Sequence, residues 1–148
     1  MYGHAGTAAE AVCLPRDPNF GKTSGPDYCG HMYGAEFETS FWASNSADED
    51  VPCAVCRNPH TVSSIMIPGK NVCYSGWNLE YYGYLSSGYW NYPAPSSYNC
   101  VDISPEYVTS GAEDRNGKLF YSVLAKCGSL PCPPYVNNYP LSCVVWSK

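Results

Sequence analysis

The residues able to do chemistry in this chain fall into acidic turns, an aromatic loop and a set of cysteines. Asp48-Glu49-Asp50 stands just before Val51-Pro52, and Glu113-Asp114 with Asn116-Gly117 stands just before Lys118. Carboxylate and amide oxygens are what a calcium ion takes, about six to eight at a time. Neither stretch has the spacing of an EF-hand loop, so one ion would gather its ligands from separate loops. Glu113, Asp114 and Asn116 are the first choice of metal ligands, because the strongest strand pattern in the chain follows them. Asp48 and Asp50 are the reserve. For either cluster alone, a solvated acidic turn is the competing reading. The second feature is the loop from Ser86 to Asn99, which carries Tyr89-Trp90-Asn91-Tyr92-Pro93 and Pro95. Loops of that length in compact domains are often functional.

Cysteine is the third feature. There are nine among 148 residues, far above cytosolic usage, which points to an oxidising compartment outside the cell or in a secretory lumen. An odd count leaves one sulfur for a bond to a second chain or as a reactive free thiol. Cys53-Ala-Val-Cys56 and Cys127-x4-Cys132 invite a zinc reading. Zinc sites, however, repeat tight pairs of matched spacing, and here only the first pair has the CxxC spacing. A thioredoxin-type site wants its CxxC at the start of a helix, and Pro52 before the pair with Asn58-Pro59 after it opposes one. A disulfide framework is the better reading. Among nucleophilic motifs, neither G-x-S-x-G nor a Gly-rich phosphate loop occurs. His4, His31 and His60 are available as bases, and Cys29 lies two residues from His31. A Cys/His site needs spatial rather than sequential adjacency, and a surface histidine beside a bridging cysteine accounts for the same pair.

Composition narrows the classes. The net charge of −5 argues against nucleic acid, whose phosphates need clustered Lys and Arg. Charged residues make up only 14%, so solubility rests on Ser, Asn, Gly and the 14 tyrosines. Tyrosine is common at recognition surfaces because it joins a large apolar face to a polar tip, although strand and core positions explain most of them. No stretch reads as a signal peptide or a membrane span. The chain therefore reads as a mature or truncated form, with the native N-terminus relative to Met1 left open. There is no Asn-x-Ser/Thr sequon, and the glycines lack the period of a collagen segment.

Helical periodicity is nearly absent. Gly6–Leu14 is the one candidate, with Ala8, Ala9 and Ala11 behind Thr7 as a cap. Short strands are predicted at Phe37–Trp42, Val62–Ile67, Trp77–Leu85, Cys100–Ile103, Lys118–Cys127 and Ser142–Trp146, separated by Pro, Gly, Ser and Asn. In the clearest, Leu119, Tyr121, Val123, Ala125 and Cys127 share one face at period two. The expected fold is α+β but mostly β: a single domain over residues 1–148, built of short antiparallel strands, braced by disulfides, with one or two short helices.

Longer segments carry a resemblance. Val51-Pro-Cys-Ala-Val-Cys-Arg57, Ile67-Pro-Gly-Lys-Asn-Val-Cys-Tyr-Ser-Gly-Trp77, Asn116-Gly-Lys-Leu-Phe-Tyr121 and Cys127-Gly-Ser-Leu-Pro-Cys-Pro-Pro-Tyr-Val136 resemble the C-terminal noncollagenous domain of short-chain sponge collagens. Cys13-Leu-Pro15 and Tyr33-Gly-Ala-Glu-Phe-Glu38 look like the N-terminal half of the same family, so the resemblance runs over nearly the whole chain. Marine invertebrate lectins, from sea anemone and sea worm, are similar to this domain. In the anemone type the resemblance implies galactose bound through calcium in a disulfide-linked homodimer. The family pattern usually has a further cysteine upstream of Tyr2 and ends in CVVC, where this chain has Cys143-Val-Val-Trp146. Cys29 is outside that pattern. The resemblance thus implies four internal bridges, with Cys29 left to join two chains.

The leading expectation is a secreted, non-enzymatic, calcium-dependent lectin for terminal galactose. Sugars are held by carboxylates and amides on their hydroxyls and by a ring against their apolar face. Trp90, Asn91 and Tyr92 with Glu113, Asp114 and Asn116 would form the sugar site, and Asn137 and Asn138 are further exposed-looking amides. The alternatives are a structural matrix module without sugar binding, and a secreted Cys hydrolase that would need the odd thiol free.

Overall fold

Runs rich in Val, Ile, Tyr, Phe and Trp, broken every few residues by Pro, Gly and Asn, leave the backbone few options besides short strands. The computed structural model describes residues 10–14, 17–19, 34–109, 114 and 116–148. Seven strands occur there: β1 (Ala35–Phe37), β2 (Glu49–Asp50), β3 (Ser64–Pro68), β4 (Asn78–Ser87), β5 (Asn99–Asp102), β6 (Lys118–Ser122) and β7 (Ser142–Ser147). They form one sheet in the order β2-β1-β6-β4-β7-β3, with β5 also paired to β4.

The ten-residue β4 organises the sheet. Its first half pairs with β7, and its second half pairs with β5 and touches β6. Gly83 makes the β5 contact possible, because a Cβ there would stand 1.9 Å from the Val101 carbonyl oxygen. Between Leu79 and Tyr81 the register shifts, a bulge that leaves Glu80 out of step with its neighbours. Glu80 Oε1 accepts a 2.8 Å hydrogen bond from Asn58 Nδ2 and another from the Ser147 hydroxyl. The loop before β3 is thereby tied to the end of β7.

Phe37, Trp42, Val101 and Phe120 form the core cluster, flanked by Ala35, Val51 and Tyr107. Phe37 meets Phe120 edge-on at 6.2 Å, and the Trp42 indole donates to the Phe120 carbonyl at 3.2 Å. Trp146, where the resembled pattern has cysteine, is buried on β7 beneath Tyr74 at 5.1 Å and Trp77 at 5.9 Å. Those rings fix the loop between β3 and β4.

Cysteines form a disulfide framework, as expected: Cys13–Cys53, Cys100–Cys143 and Cys127–Cys132. The second joins β5 to the core end of β7, where Cys143 is completely buried. Cys53 is bridged to Cys13, and Cys127 to Cys132, which leaves no four-sulfur zinc set from these pairs. The implied four bridges are three among the described residues, because Cys56 and Cys73 carry thiols. Cys29 lies outside the described residues.

The expected α+β class is corrected: the fold is mostly β, without helix among the described residues. Gly6–Ala9 lie outside them, and Glu10–Leu14 are irregular. Cys13 is drawn away to Cys53, and a segment so short does not hold a helix by propensity alone. The sheet is also mixed rather than antiparallel, because β1 pairs with β6 in parallel. Phe37–Trp42 becomes the end of β1 and a turn, where Ser46 Oγ accepts from the Ala43 amide and donates to the Thr39 carbonyl. The long candidate from Lys118 ends at Ser122. Beyond it Leu124 faces Pro140, which has no N–H to give a ladder. The other strand expectations agree with β3, β4, β5 and β7 to within two residues, while β2 was not anticipated.

Candidate functional site

β1 places carboxylates where the sequence alone showed only an alternation. Its flanking partners are β2, with Glu36 opposite Asp50, and β6, with Glu36 opposite Leu119. Alternation sends Glu36 and Glu38 to one side while Phe37 goes to the core. Antiparallel pairing sets Asp50 beside Glu36, an arrangement of like charges that is unfavourable by itself. Asp48 precedes β2 at φ 63, a left-handed conformation that Asp tolerates better than most residues. Its amide donates to the Phe37 carbonyl at 2.7 Å.

The second acidic stretch arrives at the same place from β6. A Cβ on Gly117 would lie 2.3 Å from the Gly34 carbonyl oxygen, so only glycine lets β6 close against β1 there. That approach brings the Asn116 amide within 3.1 Å of Glu36 Oε2. Asn116, itself left-handed at φ 51, turns its side-chain amide onto Asp114 Oδ1. The two acidic stretches chosen from the sequence therefore meet across β1. Glu38 registers the meeting. Burial pushes its carboxyl above the ordinary value of 4.5, a Tyr121 hydrogen bond opposes this, and the charges of Asp48, Asp114 and Glu36 add to the rise. One oxygen of Glu38 and one of Glu49 are buried without a hydrogen-bond partner.

The aromatic loop joins this acidic face through Tyr121. Residues 89–92 form a turn closed by the Tyr92 amide on the Tyr89 carbonyl at 3.1 Å. Tyr89 packs 5.3 Å from both Tyr92 and Tyr121, and the Tyr92 and Tyr121 hydroxyls lie 3.3 Å apart. Burial, the Tyr92 hydrogen bond and the Glu38 charge all push the Tyr121 phenol up, so it stays protonated. Trp90 stands out of this cluster, 83% exposed and 5.7 Å from Tyr89. Asn91 is exposed beside it.

Of the residues expected at the site, Asp48, Asp50, Asp114 and Asn116 come together around β1, and Trp90, Asn91 and Tyr92 occupy the adjoining turn. Glu113 lies outside the described residues. Tyr92 is a packing residue as much as a presenting one, whereas the Trp90 ring is open. Asn137 and Asn138 have other work: Asn137 Oδ1 accepts from the Cys127 amide at 3.1 Å, and Asn138 Oδ1 accepts from Lys126. Both brace the Cys127–Cys132 loop. Glu36, Glu38, Tyr89 and Tyr121 were not anticipated. Glu36, which is buried, and Glu38 follow the alternation of Ala35-Glu-Phe-Glu38, but three residues of strand are too short a run for that alternation to single them out.

Among the described residues no group of three or more His, Cys, Asp or Glu side chains is arranged to hold a metal ion. Oxygen donors converge here without closing around one point. His60 is exposed, with its backbone amide on Asn58 Oδ1, while His4, His31 and Cys29 lie outside the described residues. No described helix is long and apolar enough to cross a membrane. Comparison with protein-family models, curated proteins and solved structures found no match for this chain.

Proposed function

We propose that this chain is a secreted, non-enzymatic, calcium-dependent glycan-binding protein, with terminal galactose as the first sugar to try and a Cys29-linked homodimer as its working form. The observation that carries the reading is the junction at Tyr121, where an acidic face and an open aromatic turn share one hydrogen-bonded tyrosine. The disulfide framework supports an oxidising compartment, and the resemblance to short-chain collagen tails and marine lectins supports the ligand class.

The donor set suits calcium, a hard cation that takes carboxylate and amide oxygens. Asp114 and Asn116 would hold the ion, with Glu113 of the same acidic stretch as a further candidate and Asp48 and Asp50 in reserve, while the Glu38 carboxyl adds negative charge beside them. The orphaned buried oxygen of Glu38 and the mutual repulsion around it are what a cation would relieve. Bound calcium would supply a site for paired sugar hydroxyls, which exchange evenly with water when they meet only neutral groups. Trp90 offers an open ring for the sugar's apolar face, Asn91 an amide for an outlying hydroxyl, and Tyr92 with Tyr89 supports the turn from behind.

A structural association module is the second reading. Val62, at 99% exposure, together with exposed Val55, Ile65, Val72 and Leu79 on or near β3 and β4, makes a surface more apolar than sugar binding requires. A glycan array probed with calcium separates the two. Binding confined to galactose-terminated glycans supports the lectin reading, and silence on every glycan with self-association in solution supports the module.

A further inference from the structure

Cys56 is an exposed thiol that follows Cys53 by three residues, and the Cys53 sulfur is bridged to Cys13. Cys53-Ala-Val-Cys56 therefore holds a nucleophile and a disulfide within one short stretch of chain. Four consecutive residues span at most about 11 Å when extended, and a β-turn draws their ends to within about 7 Å. A disulfide needs a Cα separation of about 4.4–6.8 Å, so one local turn suffices. Pro52–Arg57 are all exposed, and among the described residues none of them makes a backbone–backbone hydrogen bond. The Val51 amide donates to the Ala35 carbonyl at 2.8 Å, and Asn58 Nδ2 donates to Glu80 at 2.8 Å. The stretch between can thus turn while its ends stay held. On the other side of the bridge, Glu10–Leu14 is irregular and likewise makes no backbone–backbone hydrogen bond among the described residues. Cys13–Cys53 is its covalent fastening to the stretch that follows β2.

We propose that Cys53-Ala-Val-Cys56 is an internal thiol–disulfide exchange site, in which Cys56 displaces Cys13 from Cys53 and so releases the Glu10–Leu14 segment. The Cys56 thiolate forms a bond to the Cys53 sulfur while the Cys53–Cys13 bond breaks. The electron pair of that bond leaves on Cys13, whose thiolate takes from water the proton that Cys56 gave up. One disulfide is lost and one is made, so the step consumes neither oxidant nor reductant. The product closes a loop within four residues, whereas the starting bridge joins positions 40 apart, and chain entropy favours the shorter closure. The segment freed from Cys53 gains conformational freedom as well. Cys100–Cys143 stays out of the exchange, because Cys143 is completely buried. Glu10, whose charge acts on Lys118 at the start of β6, goes with the released segment. Exchange therefore changes the charge beside the turn at Asn116-Gly117.

The test is disulfide mapping of the full chain, held at mildly alkaline pH without added thiol or disulfide, then denatured and labelled with N-ethylmaleimide in mild acid. A Cys53–Cys56 peptide is expected as the Cys13–Cys53 peptide declines, with label passing from Cys56 to Cys13 and the total of labelled thiols unchanged. The conversion should slow as pH falls, because the thiolate is the attacking form. Cys56→Ser is expected to keep Cys13 bridged to Cys53 and unlabelled under the same conditions. Wild type capped with N-ethylmaleimide beforehand should behave as that variant does, which keeps the test open if the variant fails to fold. Label that stays on Cys56 throughout, with Cys13–Cys53 intact, would overturn the proposal. So would a link of Cys56 to Cys13, Cys73 or Cys29. The maps read the same whether or not the chain binds sugar.

Discussion

The Tyr121 hydroxyl lies 3.3 Å from the Tyr92 hydroxyl and close enough to the Glu38 carboxyl to act on its charge, and so joins the acidic face of β1 to the aromatic turn at Trp90. Tyr121 favours the charged form of Glu38, against burial and the charges of Asp48, Asp114 and Glu36, which disfavour it. It also gives the site a position from which its charge and its shape can be changed separately.

Glu38 makes folding pH-dependent in a defined direction. Its carboxyl is raised above 4.5 in the folded chain, so the folded state binds more protons than the unfolded one across that interval. Stability from this group is complete below the unfolded value and is lost as pH rises through the folded one. Glu38→Gln is therefore expected to melt higher than wild type near neutral pH without calcium, and to lose that advantage in acid. Added calcium should raise the melting temperature of wild type and leave the variant behind. Thermal melts at several pH values, with calcium and with chelator, check both directions.

Trp90→Ala separates binding from folding. A ring 83% exposed contributes little to the core, so the melting free energy should stay within about 0.5 kcal/mol of wild type. Glycan affinity should weaken without vanishing, because the ion and its carboxylates remain. Denaturant titration and glycan titration of the same preparation measure the two effects.

Gly83→Ala tests the join between β4 and β5. The added methyl would meet the Val101 carbonyl at 1.9 Å, and overpacking of that kind costs about 1–3 kcal/mol. A lowered denaturation midpoint is expected, with Cys100–Cys143 still holding β5 to β7. Denaturant unfolding with the disulfides intact reads it directly.

The proposed dimer rests on Cys29. Non-reducing electrophoresis should show a species of twice the chain mass that Cys29→Ser converts to the monomer. A bivalent sugar binder gains avidity when two sites engage one surface, so the variant should also lose agglutinating power while each site keeps its affinity. A wild type that runs as a monomer with Cys29 titratable would remove the dimer.

Much of the sheet was legible from alternation and turn residues. Trp77–Leu85 and Ser142–Trp146 read as strands and are β4 and β7, because apolar residues at period two have one arrangement that buries them. What was not legible depended on contacts distant in sequence. The parallel pairing of β1 with β6 rests on Gly117 lying against Gly34, and no local pattern announces it. The two-residue β2 is too short to carry a period. The helix expected over Gly6–Leu14 had alanine propensity in its favour, but at Glu10–Leu14 the Cys13–Cys53 link prevails. At the site, Asp48, Asp114, Asn116 and Trp90 could be chosen from the sequence because acids in turns and rings in loops stand out. Glu36 and Glu38 did not, since a three-residue strand hides its acids among apolar neighbours. Their meeting with both acidic stretches is a product of topology.

Retention on a galactose column with calcium, repeated with a chelator and with Asp114→Ala, tests the central claim most directly. The wild type is expected to be retained with calcium, to elute when the ion is removed, and to be retained again when calcium is restored. Asp114→Ala, fully folded by its melt, is expected to pass through in both buffers. Wild-type protein that passes through with calcium present, or that is held equally well in chelator, would contradict calcium-dependent galactose binding.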